Sequence, residues 1–282
     1  MRTAPWHPLM ETSTTASSPS ATETASVDGR VARCRILGVP IALVDYERAM
    51  DIMDHLIDTR QRGYVCAAAV HAVVAADSDP ELAAALDRAT LVVPDGMPLV
   101  WAARALGHQL AGRVYGPELM ARYLARCARD RRRIWLYGGH DEQWLERLEK
   151  QLRKRHPELE IAGSWSPPHR PLTATEEREL AARINHDQPD VVWVGIGAPK
   201  QEKWMARMRD RLEAPVLCGV GAAFDFHAGR ISQAPRWMQE TGLEWLWRAL
   251  QEPVRLVPRY LATNPRFIWR ALRQVLRERR GR

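Results

Sequence analysis

No stretch of this chain approaches the run of about 20 apolar residues that a helix needs to cross a bilayer. No charged N-terminal region leads into an apolar segment, so a secretory signal is not expected. Cysteine is sparse. Cys34, Cys66, Cys127 and Cys218 stand far apart and form no C-x-x-C pair. That spacing speaks against a disulfide framework or a zinc site, and for buried free thiols in a reducing compartment. His71 and His227 are not at metal-ligand spacing with any cysteine or carboxylate, so neither a metal nor a cofactor is expected. The G-x-G-x-x-G fingerprint and the Walker A sequence are both missing, against a nicotinamide-dependent oxidoreductase and against P-loop nucleotide hydrolysis. No helix-turn-helix, RRM or zinc-finger pattern supports nucleic acid as a partner. The expected location is the cytoplasm.

What is present fits one large α/β unit. The 282 residues are 46% hydrophobic and 27% charged, enough to build a sizeable core. The net charge of +7 favours an acidic partner such as a nucleotide, a phosphate group, a nucleic acid or an anionic lipid, without choosing among them. Residues 1–28 are rich in Ser, Thr and Ala, lack an apolar period and are expected to be disordered. A start codon set too early explains them equally well. From about residue 34, short apolar runs alternate with segments of helical period. Helices are predicted over 45–60, 81–88, 99–106, 116–129, 142–156, 175–185 and 201–212. Strands are predicted over 64–70, 90–93, 133–137, 160–164, 190–194 and 216–220. Such alternation implies a Rossmann-like, mostly parallel sheet covered by helices, with ligands beyond the carboxyl ends of the strands. The organisation expected is a catalytic α/β domain over 30–243 and a basic helical appendage over 244–282. In that appendage Trp245, Trp247 and Trp269 are interleaved with Arg248, Arg255, Arg259 and Arg270. Pro253, Pro258 and Pro265 are expected to break it into short helices. It reads as a membrane-surface segment, a nucleic-acid binder or a solvated basic face packed on the domain.

Four constellations stand at predicted strand ends. Val92-Val93-Pro94-Asp95-Gly96 puts a carboxylate directly after a buried strand, as a general base for a hydroxyl nucleophile or as a turn aspartate bonding its own backbone. Tyr137-Gly138-Gly139 lets backbone N–H groups approach a phosphate, or is an ordinary strand-to-helix turn. In Gly195-Ile196-Gly197-Ala198-Pro199-Lys200-Gln201-Glu202-Lys203, glycines precede a helix start whose Gln201 and Lys203 could hold a diphosphate or uracil. A bare solvated helix start is the other reading. Asp225, in Phe224-Asp225-Phe226-His227-Ala228-Gly229, could bond a sugar hydroxyl or cap a helix.

Taken in order, these segments resemble the WecG/TagA/CpsF family of bacterial glycosyltransferases. The likeness also draws on His71-Ala72-Val73-Val74, Arg113-Val114-Tyr115-Gly116-Pro117-Glu118 and Ala234-Pro235-Arg236-Trp237-Met238-Gln239, and covers about residues 35–275. The resemblance implies an inverting, metal-independent transfer without a cofactor, from a UDP-sugar donor of the N-acetylmannosamine type. The acceptor it implies is a saccharide on a polyprenyl diphosphate at the inner face of the cytoplasmic membrane, whose anionic surface becomes a partner. A homo-oligomer is left open. By this resemblance Asp95 matches the general base, and Gly138, Gly139, Gln201 and Asp225 fall in donor-pocket regions. Tyr115 joins them as a substrate-binding residue. Lys203, Arg236, Arg255 and Arg259 are candidates to stabilise the leaving UDP. Many members carry Thr-x-Asn where this chain has Cys66-Ala67-Ala68. The departure points to a variant subgroup taking another sugar, such as glucose or a uronic acid.

Overall fold

The computed structural model describes residues 31–280 except Arg236, Gln239 and Glu240. The expected disorder of residues 1–28 and the expected role of Arg236 lie outside the described residues.

The chain opens with an antiparallel hairpin of β1 (Arg33–Ile36) and β2 (Val39–Ala42). Leu37 and Gly38 close it at φ of 48° and 89°, the positive-φ pair that a two-residue hairpin loop requires. Six strands follow: β3 (Gly63–Ala68), β4 (Leu91–Pro94), β5 (Arg133–Gly138), β6 (Glu160–Trp165), β7 (Val191–Gly195) and β8 (Val216–Gly219). They form one sheet in the order β4-β3-β8-β7-β5-β6, every neighbouring pair parallel. The expected α/β class is therefore correct.

Alternation along each strand feeds two cores. Trp135, Tyr137, Val192, Val194 and Leu217 point to one face; Ile134, Leu136, Val191, Trp193 and Cys218 point to the other. On the first face lie α2 (Val70–Ala76), α3 (Pro80–Asp87), α4 (Met97–Ala105), α7 (Ala174–Asp187) and α8 (Lys200–Met208). On the second lie α1 (Tyr46–Asp58), α5 (Gly116–Arg129), α6 (Glu142–Arg155) and the short α9 (Ala223–His227). A sheet buried on both faces explains strands that are almost wholly apolar. All four cysteines are free and buried, as expected.

The helices start where local chemistry satisfies their orphan N–H groups. Asp45, Asp79 and Asp141 accept from Arg48, Leu82 and Trp144 backbone N–H groups ahead of α1, α3 and α6. A capping box forms at the start of α7, where Thr173 and Glu176 exchange side-chain to backbone bonds.

Two expectations need correction. Residue 70 does not end a strand; it begins α2. Nor do the prolines break the tail into short helices. After α10 (Glu244–Gln251) comes a 28-residue α11 (Pro253–Arg280) with Pro258 and Pro265 inside it. Each proline removes one bond to the carbonyl four residues earlier, on Val254 and Leu261. Those residues are 91% and 72% exposed, so water reaches the freed oxygens and the helix continues. Leu256 and Phe267 are buried against the body of the protein. Gln274 fixes the far end to the hairpin, accepting from the Leu37 N–H at 3.0 Å and donating to the Arg35 carbonyl at 2.7 Å. No helix among the described residues is long and apolar enough to cross a membrane.

Candidate active site

Asp95 follows β4 directly. Its N–H continues the ladder to the Ala68 carbonyl at 3.0 Å. Its Oδ1 accepts from the Gly116 N–H, the first residue of α5, at 2.6 Å. No side chain of its own segment caps α5, so a carboxylate from a neighbouring strand takes the position where a helix N-terminus favours negative charge. A side chain at Gly116 would lie 3.1 Å from the Val220 carbonyl and 3.4 Å from Asp95 Oδ1, which leaves glycine the residue that permits this contact. Burial works against the charge and prevails over the Gly116 hydrogen bond and the Arg113 guanidinium. The carboxyl is pushed up to about 6. It is ionised at neutral pH yet basic enough to accept a proton.

Asp95 lies at the edge of a cavity of about 770 Å³. The carboxyl ends of β3, β4, β7 and β8 contribute Ala67, Asp95, Ile196 and Val220, while α10 and α11 close it from above. His71, Arg113, Arg248, Arg255 and Arg259 also face it. Arg113 pairs with Glu244 of α10 at 2.5 Å, their side chains 13% and 6% exposed, and its guanidinium lies over the Tyr115 ring at 4.6 Å. The Tyr115 N–H donates to the Tyr46 hydroxyl at 3.0 Å, which fixes this loop on α1. Burial, followed by the charges of Arg259, Arg248 and Arg255, brings His71 down to about 4. Burial and then Arg255 hold Arg259 below the usual guanidinium range. The positive charges crowd one another, and an anion entering the cavity relieves that repulsion.

Gln201 also lines the cavity but is fully engaged in fixing its wall. Its Oε1 accepts from the Gly221 N–H at 3.0 Å and its Nε2 donates to Glu202 Oε1 at 2.9 Å. Glu202 is fully buried, and burial raises it to about 7. The carboxyl thus sets which way the Gln201 amide points, and the amide holds the loop after β8.

Three expected donor residues lie elsewhere. Gly138 has φ of 143°, and a Cβ there would lie 2.6 Å from the Gly195 backbone. The glycine lets β5 and β7 approach at their ends. Gly139 makes room for the Trp144 ring. Neither borders the main cavity. Nor do they line the second cleft, of about 630 Å³, which begins at the next residue with His140 and includes Trp144 and Arg230. Asp225, on α9, accepts from or pairs with His140 at 2.9 Å and Arg230 at 3.5 Å. The structure thus brings Asp95, Tyr115, Gln201, Arg255 and Arg259 together at the main cavity, while Asp225 touches the second cleft only through His140 and Arg230 and Gly138 and Gly139 line neither.

Lys203 reaches neither. Its Nζ pairs with Asp79 at 2.7 Å and Glu81 at 3.0 Å, bracing α8 against α3. His71 and Arg113, named only within motifs, Arg248, named only in the tail, and Glu244 were not among the expected site residues. The one available signal is the spacing of Arg248, Arg255 and Arg259, seven and four residues apart, which suits one helical face. Of the three residues at the departing Thr-x-Asn position, Cys66 and Ala68 are buried in the core and Ala67 borders the cavity. Among the described residues, no three His, Cys, Asp or Glu side chains gather closely enough to hold a metal ion.

Similarity to known proteins agrees with this geometry. An N-acetylglucosaminyldiphosphoundecaprenol N-acetyl-beta-D-mannosaminyltransferase of Bacillus spizizenii is 29% identical over 195 residues, 69% of this chain and 73% of its own. The protein of that name from Bacillus subtilis is 27% identical over 215 residues, 74% of this chain and 81% of its own. The one from Staphylococcus aureus strain MW2 is 30% identical over 171 residues, 61% and 65% of the two chains. Residues 34–281 match the glycosyl transferase WecG/TagA/CpsF family as a whole, and with a parallel α/β sheet carrying a half-buried carboxylate and an arginine-lined cavity at its carboxyl end, the chain belongs to that family of glycosyltransferases.

Proposed function

We propose that this enzyme moves a sugar from a UDP-sugar to a hydroxyl of a polyprenyl-diphosphate-linked saccharide, with inversion and without a metal, at the inner face of the cytoplasmic membrane. The observation that carries the reading is Asp95 held against Gly116 at the edge of a cavity ringed by four arginines. An acceptor hydroxyl is a weak nucleophile. As its oxygen bonds the anomeric carbon, Asp95 takes its proton and the bond to the UDP oxygen breaks on the opposite face. Negative charge then grows on the leaving diphosphate, and Arg113, Arg248, Arg255 and Arg259 supply fixed positive charge around it. Gln201 acts through the Gly221 loop that it holds. The cluster of His140, Asp225 and Arg230 suits the nucleoside end of the donor. The relatives' names supply the lipid-linked acceptor and the N-acetylmannosamine donor as starting points; Cys66-Ala67-Ala68 favours a variant sugar such as glucose or a uronic acid.

The segment over 244–282 acts in this reading as a membrane-proximal appendage. Val254, Leu261, Ile268, Leu272 and Leu276 form an exposed apolar stripe along α11, among arginines that suit anionic lipid. Full-length protein with Leu261, Ile268 and Leu272 all changed to Ser should lose most of its binding to anionic vesicles. Unchanged binding would exclude the stripe as the contact. The reading as a whole is tested by a thermal-shift screen over UDP-, GDP- and TDP-sugars, followed by transfer to a polyprenyl-diphosphate-linked N-acetylglucosamine. Stabilisation by a UDP-sugar and a new disaccharide product are expected; stabilisation by another nucleotide alone, or no product, sinks it.

A further inference from the structure

We infer that the far arm of the main cavity is a seat for the hydrocarbon tail of the acceptor, an inference that rests on the acceptor class proposed above. The cavity changes character along its length. Near Asp95 it is charged. Beyond Arg259 it runs between α4 and the second half of α11, where Trp101, Ala102 and Ala105 face Phe267, Ala271 and Val275. No charged side chain borders this arm from either helix. The two helices meet here, alanines at 102, 105 and 271 keep the space beside the contact open as a trough, and Phe267, 4% exposed, floors it. From Phe267 to Val275 the arm follows α11 for about 12 Å.

Two features select the occupant. The arm is continuous with a cluster of guanidinium groups, so what fills it carries an anion at one end and hydrocarbon at the other. Its outer wall, with Ile268 at 57% and Leu272 at 58% exposure, passes into the exposed stripe of α11, so the hydrocarbon continues outward instead of ending in a closed pocket. A prenyl diphosphate has this form. Its diphosphate lies where the arm meets the guanidinium cluster, beside Thr263 and Asn264, its first isoprene units lie between α4 and α11, and the rest of the chain leaves past Leu272. A donor nucleotide has no apolar part to occupy the trough. Burial of apolar surface there orients the acceptor, so that the saccharide on the other side of the diphosphate is carried toward Asp95.

The test is photo-labelling of the full-length protein with farnesyl diphosphate carrying a diazirine in its terminal isoprene unit, in buffer without vesicles or detergent. Label on peptides spanning 97–105 and 267–275, displaced by unlabelled farnesyl diphosphate, is the expected result. Ala271→Phe, which fills the trough, should lower that labelling at least tenfold; should this variant fail to fold, the wild-type labelling pattern still decides. Label confined to the outer stripe near residues 250–261, label that unlabelled farnesyl diphosphate does not displace, or no label at all overturns the inference. Labelling needs no turnover. A protein that labels in the trough but transfers no sugar would remove the proposed function and leave the seat standing, and transfer with label elsewhere would do the reverse.

Discussion

The Arg113 guanidinium and the Glu244 carboxylate meet at 2.5 Å with little exposure of either side chain. This pair joins the loop before α5 to the first turn of α10, and so makes the C-terminal segment a wall of the cavity. Removing one member of a buried pair leaves the other charged and unpaired, at a cost of about 3 kcal/mol. Glu244→Ala should therefore lower the melting temperature by roughly 6 to 12 °C and hasten proteolysis within α10. A melting curve that overlays the wild type would show that the pair does not hold the wall.

Asp95→Asn should abolish transfer while leaving UDP-sugar binding within about threefold, read by calorimetry and product assay. In the wild type, activity should fall as pH drops through about 6, because the carboxyl titrates there and only the ionised form accepts the proton. A profile flat from pH 5 to 8 would remove Asp95 as base.

The same substitution should stabilise the fold at high pH. The folded carboxyl titrates at about 6, above the roughly 3.9 of an unfolded chain, so the fold favours the protonated form. Its contribution is complete below about pH 4 and is lost as pH rises through about 6. At pH 8 the ionised, half-buried Asp95 is a burden of about 2 to 3 kcal/mol that Asn does not carry. Urea denaturation should find Asp95→Asn more stable at pH 8 and equal to wild type at pH 3. Lower stability of the variant at pH 8 would mean that the Gly116 bond outweighs burial.

Lys203 and the tail arginines should part company in kinetics. Lys203→Met breaks a solvent-screened strut between α8 and α3 and should leave kcat and KM within threefold. Arg255→Ala and Arg259→Ala should each reduce kcat/KM at least tenfold. A large loss with Lys203→Met would return it to the site.

The contrast between these residues shows how far the sequence could be read. Asp95 was legible because a buried strand, Pro94 and Gly96 fix where its carboxylate must emerge. The α/β alternation was legible for a similar reason, since residues such as Val191 to Val194 have no polar face to expose. Lys203 was misplaced because its partners, Asp79 and Glu81, lie on a helix far away in the chain, and only the packing of α3 on α8 brings them together. The single course of α11 was hidden because the effect of a proline depends on whether water reaches the carbonyl it frees, as at Val254 and Leu261. His71, Arg113 and Arg248 come from three distant segments, and nothing local marks them as neighbours. α2 escaped because seven residues, most of them apolar, do not separate a helical from an extended period.

The tether between Asp95 Oδ1 and Gly116 reaches beyond acidity. With one oxygen engaged by the end of α5, the carboxylate cannot swivel, and only Oδ2 is left to face an incoming hydroxyl. A sugar ring offers several hydroxyls of similar reactivity. With Asp95 as the base proposed above, the regiochemistry of the new linkage is decided by which of them the acceptor brings to that one oxygen. Relatives could change the linkage they build by reshaping the acceptor's bed while leaving the carboxylate untouched.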